Sequence, residues 1–117
     1  MIDQRLKWML IEAIDNFVKE CGRIATKNGY DEEYHEKVGE PHHLMLMVSE
    51  IAEAMEAWRD ANYTNKNGVY EELADCMIRI GSFMAKQIKG CNNFGKIVVE
   101  KMECNEKRPK NHGRKRG

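Results

Sequence analysis

The sequence is poor in proline, in long apolar runs and in net charge. Only two prolines occur, Pro41 and Pro109, and both flank helical patterns, which excludes a loop-rich chain and points to an all-helical one. The longest apolar run, Leu44–Val48, is far too short to span a membrane. Formal net charge is +0, so the chain as a whole has no electrostatic footprint for nucleic acid or for an acidic membrane surface. No signal-peptide core is visible, because Met1–Leu10 carries charge throughout. Cys21, Cys76, Cys91 and Cys104 are widely spaced and form no CxxC pair, which argues against a zinc site or a disulfide framework and for free thiols in a reducing cytosol. No internal repeat, low-complexity block or linker appears, and 117 residues suffice for one domain with a modest core.

What is present is helical periodicity. Leu6, Met9, Leu10, Ala13, Ile14, Phe17, Val18, Cys21, Ile24 and Ala25 recur at steps of three and four, which predicts a first amphipathic helix stopped at Asn28–Gly29. Residues 30–40 have no clean period and read as a loop. Pro41 suits a first helical position and opens a second helix, with Leu44, Met47, Val48, Ile51, Ala54, Met55 and Trp58 as its core stripe. A polar connector, Asn62–Gly68, leads to a third helix over 69–89 with Val69, Leu73, Cys76, Met77, Ile80, Phe83 and Met84 facing inward. Gly90–Asn93 breaks it, and a short fourth helix over 94–108 stops at Pro109. The expected fold is a bundle of three main helices and a short C-terminal one. So little area is buried by one such chain that completion by a partner copy is expected, and Met45, Met47 and Met55 suit adaptable helix–helix contacts.

The acidic residues are placed in a way that bulk composition does not explain. At about 100° per residue, Leu46, Glu50, Glu53 and Ala57 fall in one strip beside the apolar stripe of the second helix, and the small Ala54 and Ala57 leave room for another body. The third helix repeats the design with Glu72 and Asp75, and Arg79 continues its strip one turn later. If the two helices face each other, four carboxylates meet along one rim. They repel unless something positive sits among them, and a hard divalent cation, Mg²⁺ or Mn²⁺, removes that problem. Acidic pairs also occur by chance on solvated faces, as expected for Glu56 and Glu71; two pairs on successive helices, each edging an apolar stripe, are more specific.

Positive groups follow. Lys101, Asn105 and Arg108 lie at i, i+4 and i+7 on one face of the fourth helix and could bind phosphate oxygens and a base or sugar edge; alone, they read first as an ordinary exposed face balanced by Glu100, Glu103 and Glu106, and an acidic metal site beside them gives the binding reading weight. Lys107, Arg108, Lys110, Arg114, Lys115 and Arg116 crowd the end of the sequence, where the plain reading is a solvated terminus. Salt-sensitive nucleic-acid binding by that tail is a weaker alternative. The His42–His43 pair reads as a surface feature, and Trp8 and Trp58 as core or interface residues.

Three blocks in order, LMLMVSEIAEAMEAWRD, EELADCMIRI and VEKMECNEKRPKNHGRK, resemble the MazG-like, all-α nucleoside triphosphate pyrophosphohydrolases. That family's signature of ExxE, a gap, then ExxD is matched by Glu50-Ile51-Ala52-Glu53 and Glu72-Leu73-Ala74-Asp75. The resemblance implies a helical bundle that forms homodimers or tetramers and hydrolyses a nucleoside triphosphate to a monophosphate and pyrophosphate. It implies Mg²⁺ held by Glu50, Glu53, Glu72 and Asp75; in a metal-assisted hydrolysis at that site, Glu53 or Glu50 is the expected acceptor of the water's proton. Lys101 and Asn105 match nucleotide contacts, and Arg108 with the HGRK stretch matches a basic segment closing near the phosphates. Some relatives carry a further acid where this sequence has Ser49. A non-catalytic nucleotide-binding module of the same fold is the rival reading.

Overall fold

In the computed structural model, which describes residues 1–86 and 93–109, every regular element among the described residues is a helix: α1 (Gln4–Lys27), α2 (Glu32–Val38), α3 (Glu40–Arg59), α4 (Val69–Lys86) and α5 (Phe94–Glu106). Local chemistry explains most of the boundaries. The Asp3 carboxylate accepts the Leu6 N–H at 3.0 Å and caps α1. At the other end Tyr30 N–H reaches the Ala25 carbonyl and Gly29 N–H the Thr26 carbonyl, a Schellman closure in which Gly29 takes φ +93°. The stop expected at Asn28–Gly29 is therefore where the helix ends. α3 closes the same way, through Asn62 N–H to Ala57 and Ala61 N–H to Trp58, but here the left-handed residue is Ala61 at φ 55°. Pro41 sits in the first turn of α3, where a missing N–H costs nothing.

Residues 30–40 are not a loop throughout. Seven of them form α2, capped by the Asp31 carboxylate on the Tyr34 N–H at 3.1 Å and ended at Gly39, φ +82°. Two turns are too short to display a period, so only the caps could have revealed the helix. The chain thus has five helices among the described residues rather than four. The expected extension of the third helix over 87–89 lies outside the described residues, as do Cys91 and the basic stretch from Lys110 on.

The chain divides into two compact units, and α1 contributes to both. The first contains residues 1–16 and the described residues from 93 on. In it Asp15 accepts the Gly95 N–H at 2.8 Å, Lys7 pairs with Glu103 at 3.2 Å and the N-terminal ammonium pairs with Glu106 at 3.0 Å. Partners that descend in one segment and rise in the other make α5 antiparallel to the start of α1. Asp15 also satisfies a backbone donor that the first turn of α5 would otherwise leave open. Val99 on α5 is fully buried.

The second unit contains the rest of α1, with α2, α3 and α4. Its main contact is α3 on α4. The buried residues of α3 are Glu50, Ala54 and Ala57, and those of α4 are Glu72, Cys76, Gly81 and Phe83. The Cys76 thiol points at the Met47 carbonyl, 3.8 Å away, across this contact. α1 meets α4 through small residues: a Cβ on Gly81 would stand 2.6 Å from Cys21 Sγ, and one on Gly22 2.8 Å from Ala85 Cβ.

The core stripes read from periodicity need correction. Leu44, Val48, Ile51, Met55 and Trp58 of α3 are exposed in the single chain, Trp58 by 57%, and so are Leu73 and Met77 of α4. The face turned inward on α3 is the one about 120° away, centred on Glu50. Trp8 is exposed as well and is not a core residue in this chain.

Candidate metal centre

The α3–α4 contact carries the acidic strips with it. Because Ala54 and Ala57 are the small residues between the helices, the edge bearing Glu50 and Glu53 comes close to the first turn of α4, where Glu72 lies. One carboxylate oxygen from each of Glu50, Glu53 and Glu72 falls within 4.8 Å of the other two. Glu50 and Glu72 are each only 7% exposed, whereas Glu53 faces solvent. Asp75 is exposed and stands outside this threesome, but it lines the same cavity and its charge acts on both Glu50 and Glu72. Glu56 and Glu71 are solvated, and Glu71 accepts the Asn67 N–H ahead of α4.

Burying carboxylates beside one another holds their protons on. Glu50 is pushed up to about 7, first by burial, then by a hydrogen bond with Glu53 and by the charges of Glu53 and Asp75; Arg79 acts in the opposite sense. Glu72 is raised by burial and by the charges of Glu53 and Asp75. The cation nearest the cluster among the described residues is Arg79, whose Nε is 3.8 Å from Glu50 Oε2. This is an electrostatic contact longer than a hydrogen bond.

The donors are all carboxylate oxygens, with neither thiolate nor imidazole in the set. Such donors suit a hard divalent ion that keeps several waters, Mg²⁺ or Mn²⁺, over zinc. The buried pair and the exposed Glu53 leave an open side toward the cavity, which an ion needing water or substrate oxygens requires.

That cavity has a volume of about 1130 Å³ and lies within the second unit. One end is acidic. The other is aromatic: Tyr34 lies 4.9 Å from Tyr30, 6.0 Å from His43, and His43 lies 6.3 Å from Phe83, ring centre to ring centre. His42 and His43, which read as a surface pair, both line it. Tyr30 and Tyr34 fall in a stretch without a clean period, which hides this wall from sequence; the Asp31 cap ahead of Tyr34 is the available signal. Lys101, Asn105 and Arg108 belong to the first unit, where all three are exposed. The HGRK stretch is outside the described residues.

Compared with known proteins, the chain matches no family model, no curated protein and no solved structure. No helix among the described residues is long and apolar enough to cross a membrane.

Proposed function

We propose that the protein is a Mg²⁺-dependent nucleoside triphosphate pyrophosphohydrolase of the MazG-like, all-α kind, working in the cytoplasm as a homodimer or tetramer. One observation carries the reading: carboxylates of Glu50, Glu53 and Glu72 converge at the acidic end of a cavity whose far end is lined by aromatic rings. The first feature fits a metal-bound polyphosphate and the second a planar base. The sequence motifs point to the same chemistry.

In this reading Glu50, Glu53 and Glu72 hold the ion, with Asp75 as the fourth acid. When bound, Mg²⁺ would polarise the phosphoryl oxygens and lower the pKa of a water. Glu53 or Glu50 accepts a proton from the water that attacks the α-phosphorus. Tyr34, His43 and Phe83 hold the base, which fixes the triphosphate relative to the acids. Lys101, Asn105 and Arg108 enter as nucleotide contacts on the sequence resemblance alone.

The exposed stripes support self-association. Covering a large apolar side chain is worth about 1.5–3 kcal/mol, and α3 alone leaves six such side chains open to solvent: Leu44, Met45, Val48, Ile51, Met55 and Trp58.

Incubation with each nucleoside triphosphate and Mg²⁺, followed by assay for pyrophosphate and monophosphate, tests the activity. Nucleotide binding without product would point to the non-catalytic module. Release of orthophosphate in place of pyrophosphate would defeat the proposed reaction.

A further inference from the structure

Arg79 is the residue of the acidic strip that the proposed chemistry leaves without a task. It lies one turn beyond Asp75 and two beyond Glu72 on the same edge of α4. At 1.5 Å per residue it sits about 10 Å along the axis from Glu72 and about 6 Å short of Phe83. Arg79 is therefore rooted on α4 between Glu72 and Phe83, and it lines the cavity wall. It is 42% exposed, so its side chain has room to move, and its contact with Glu50 is 3.8 Å. Glu72, 93% buried and facing the cavity, has no cationic partner among the described ion pairs.

We propose that Arg79 is an internal counter-cation, which a divalent ion displaces from Glu50 and which then takes an oxygen of the substrate's phosphate chain. The inference rests on the metal-centre reading above and adds a residue that the motif does not contain. With no ion bound, one guanidinium partly offsets a cluster that would otherwise be wholly acidic. A divalent ion held by Glu50, Glu53 and Glu72 would bring twice the charge of the guanidinium to the same oxygens. It outcompetes a contact too long to be a hydrogen bond. The released fork is then left beside the stretch of cavity that a polyphosphate running from the acids to the rings must cross, and a guanidinium matches phosphate oxygens in pairs.

The two halves of this role predict effects of opposite sign, which a merely structural residue would not produce. Calorimetric titration of the full chain with Mg²⁺ and with Mn²⁺ compares the wild type, Arg79→Gln and Arg79→Lys, with circular dichroism confirming the helices. Arg79→Gln should bind the ion ~5-fold more tightly, the scale of a partly exposed ion pair removed from competition. With the ion saturating, the same variant should bind inorganic pyrophosphate about tenfold more weakly, the scale of one lost charge-assisted hydrogen bond. Arg79→Lys keeps the charge without the fork, so it should resemble wild type for the ion and fall between the two for pyrophosphate. Unchanged or weaker ion binding in Arg79→Gln overturns the displacement, and unchanged pyrophosphate binding overturns the second half. Failure of the wild type itself to bind either ion removes the metal centre and this inference together, so the two failures are distinct.

Discussion

Gly81 of α4 and Cys21 of α1 meet with no space between them: a Cβ on Gly81 would lie 2.6 Å from the Cys21 sulfur and 3.0 Å from the Phe17 ring. Glycine inside a helix ordinarily costs roughly 0.5–1 kcal/mol relative to alanine. Here alanine has no room, so the sign reverses. Gly81→Ala should destabilise the protein by about 1–3 kcal/mol, the cost of an overpacked contact. Chemical denaturation followed by circular dichroism checks this, and a gain in stability would show that the helices can part cheaply.

Ala61 presents the opposite case. It ends α3 in the left-handed region, φ 55°, where a Cβ is penalised by roughly 1–2 kcal/mol. Ala61→Gly should raise stability by about 0.5–1 kcal/mol after the extra freedom glycine adds to the unfolded chain. The change lies outside the acidic cluster and should leave ion binding as it was. Thermal melts and calorimetric titration measure the two.

Glu53→Gln should abolish pyrophosphate release while the helices stay folded. Glu53 is exposed, so the amide can be solvated where the carboxylate was. Removing its charge also relieves Glu50 and Glu72, so the metal-free variant should melt no lower than the wild type. Near-normal turnover in Mg²⁺ would count heavily against the assignment of this acid.

The proton affinity of Glu50 sets a pH dependence. A carboxyl held at about 7 in the fold, against 4.5 as its ordinary value, favours the folded state below 4.5 and loses that contribution as pH rises through 7. Without divalent ions this group should therefore make the protein less stable at pH 8 than at pH 5, and Glu72, raised in the same direction, adds to the trend. A bound ion reverses the slope, because it needs the carboxylates bare. Ion affinity should rise with pH across 6 to 8, with proton release on binding. Melting curves at both pH values, with Mg²⁺ and with chelator, would show the crossing.

Sedimentation should find a dimer or tetramer. Trp58→Glu, on the exposed stripe of α3, should shift it toward monomer without altering the helical spectrum. A wild-type monomer at micromolar concentration would remove the proposed assembly.

The four longer helices and some of their ends were legible because they depend on neighbours in sequence. Asn28–Gly29 and Pro41 each mark an end by its own backbone chemistry. α2 was not, since two turns show no period and the cap at Asp31 was the lone sign. The apolar stripes were right in part: Cys21, Ala54, Cys76 and Phe83 are buried, while most of the large side chains on the stripe of α3 are exposed. Periodicity reports that Val48, Ile51, Met55 and Trp58 share a face, but not what that face meets. The acidic edges were read from the same arithmetic, and Glu50, Glu53 and Glu72 do come together. Arg79 was visible as the next residue of the strip, but its pairing with Glu50 depends on how α3 lies on α4. The ring wall joins Tyr30, Tyr34, His43 and Phe83 from separate stretches, which no local pattern connects.

The inward alanines of α3 separate two kinds of change on a single helix. Ala54 and Ala57 set how near the acids come to α4, so a bulkier residue at either would pry the oxygens apart before touching any of them. The wide side chains on the outer surface can vary with whatever lies against them and leave that spacing alone. Descendants of this chain could thus vary along the outer stripe while the spacing of the acids stays the same.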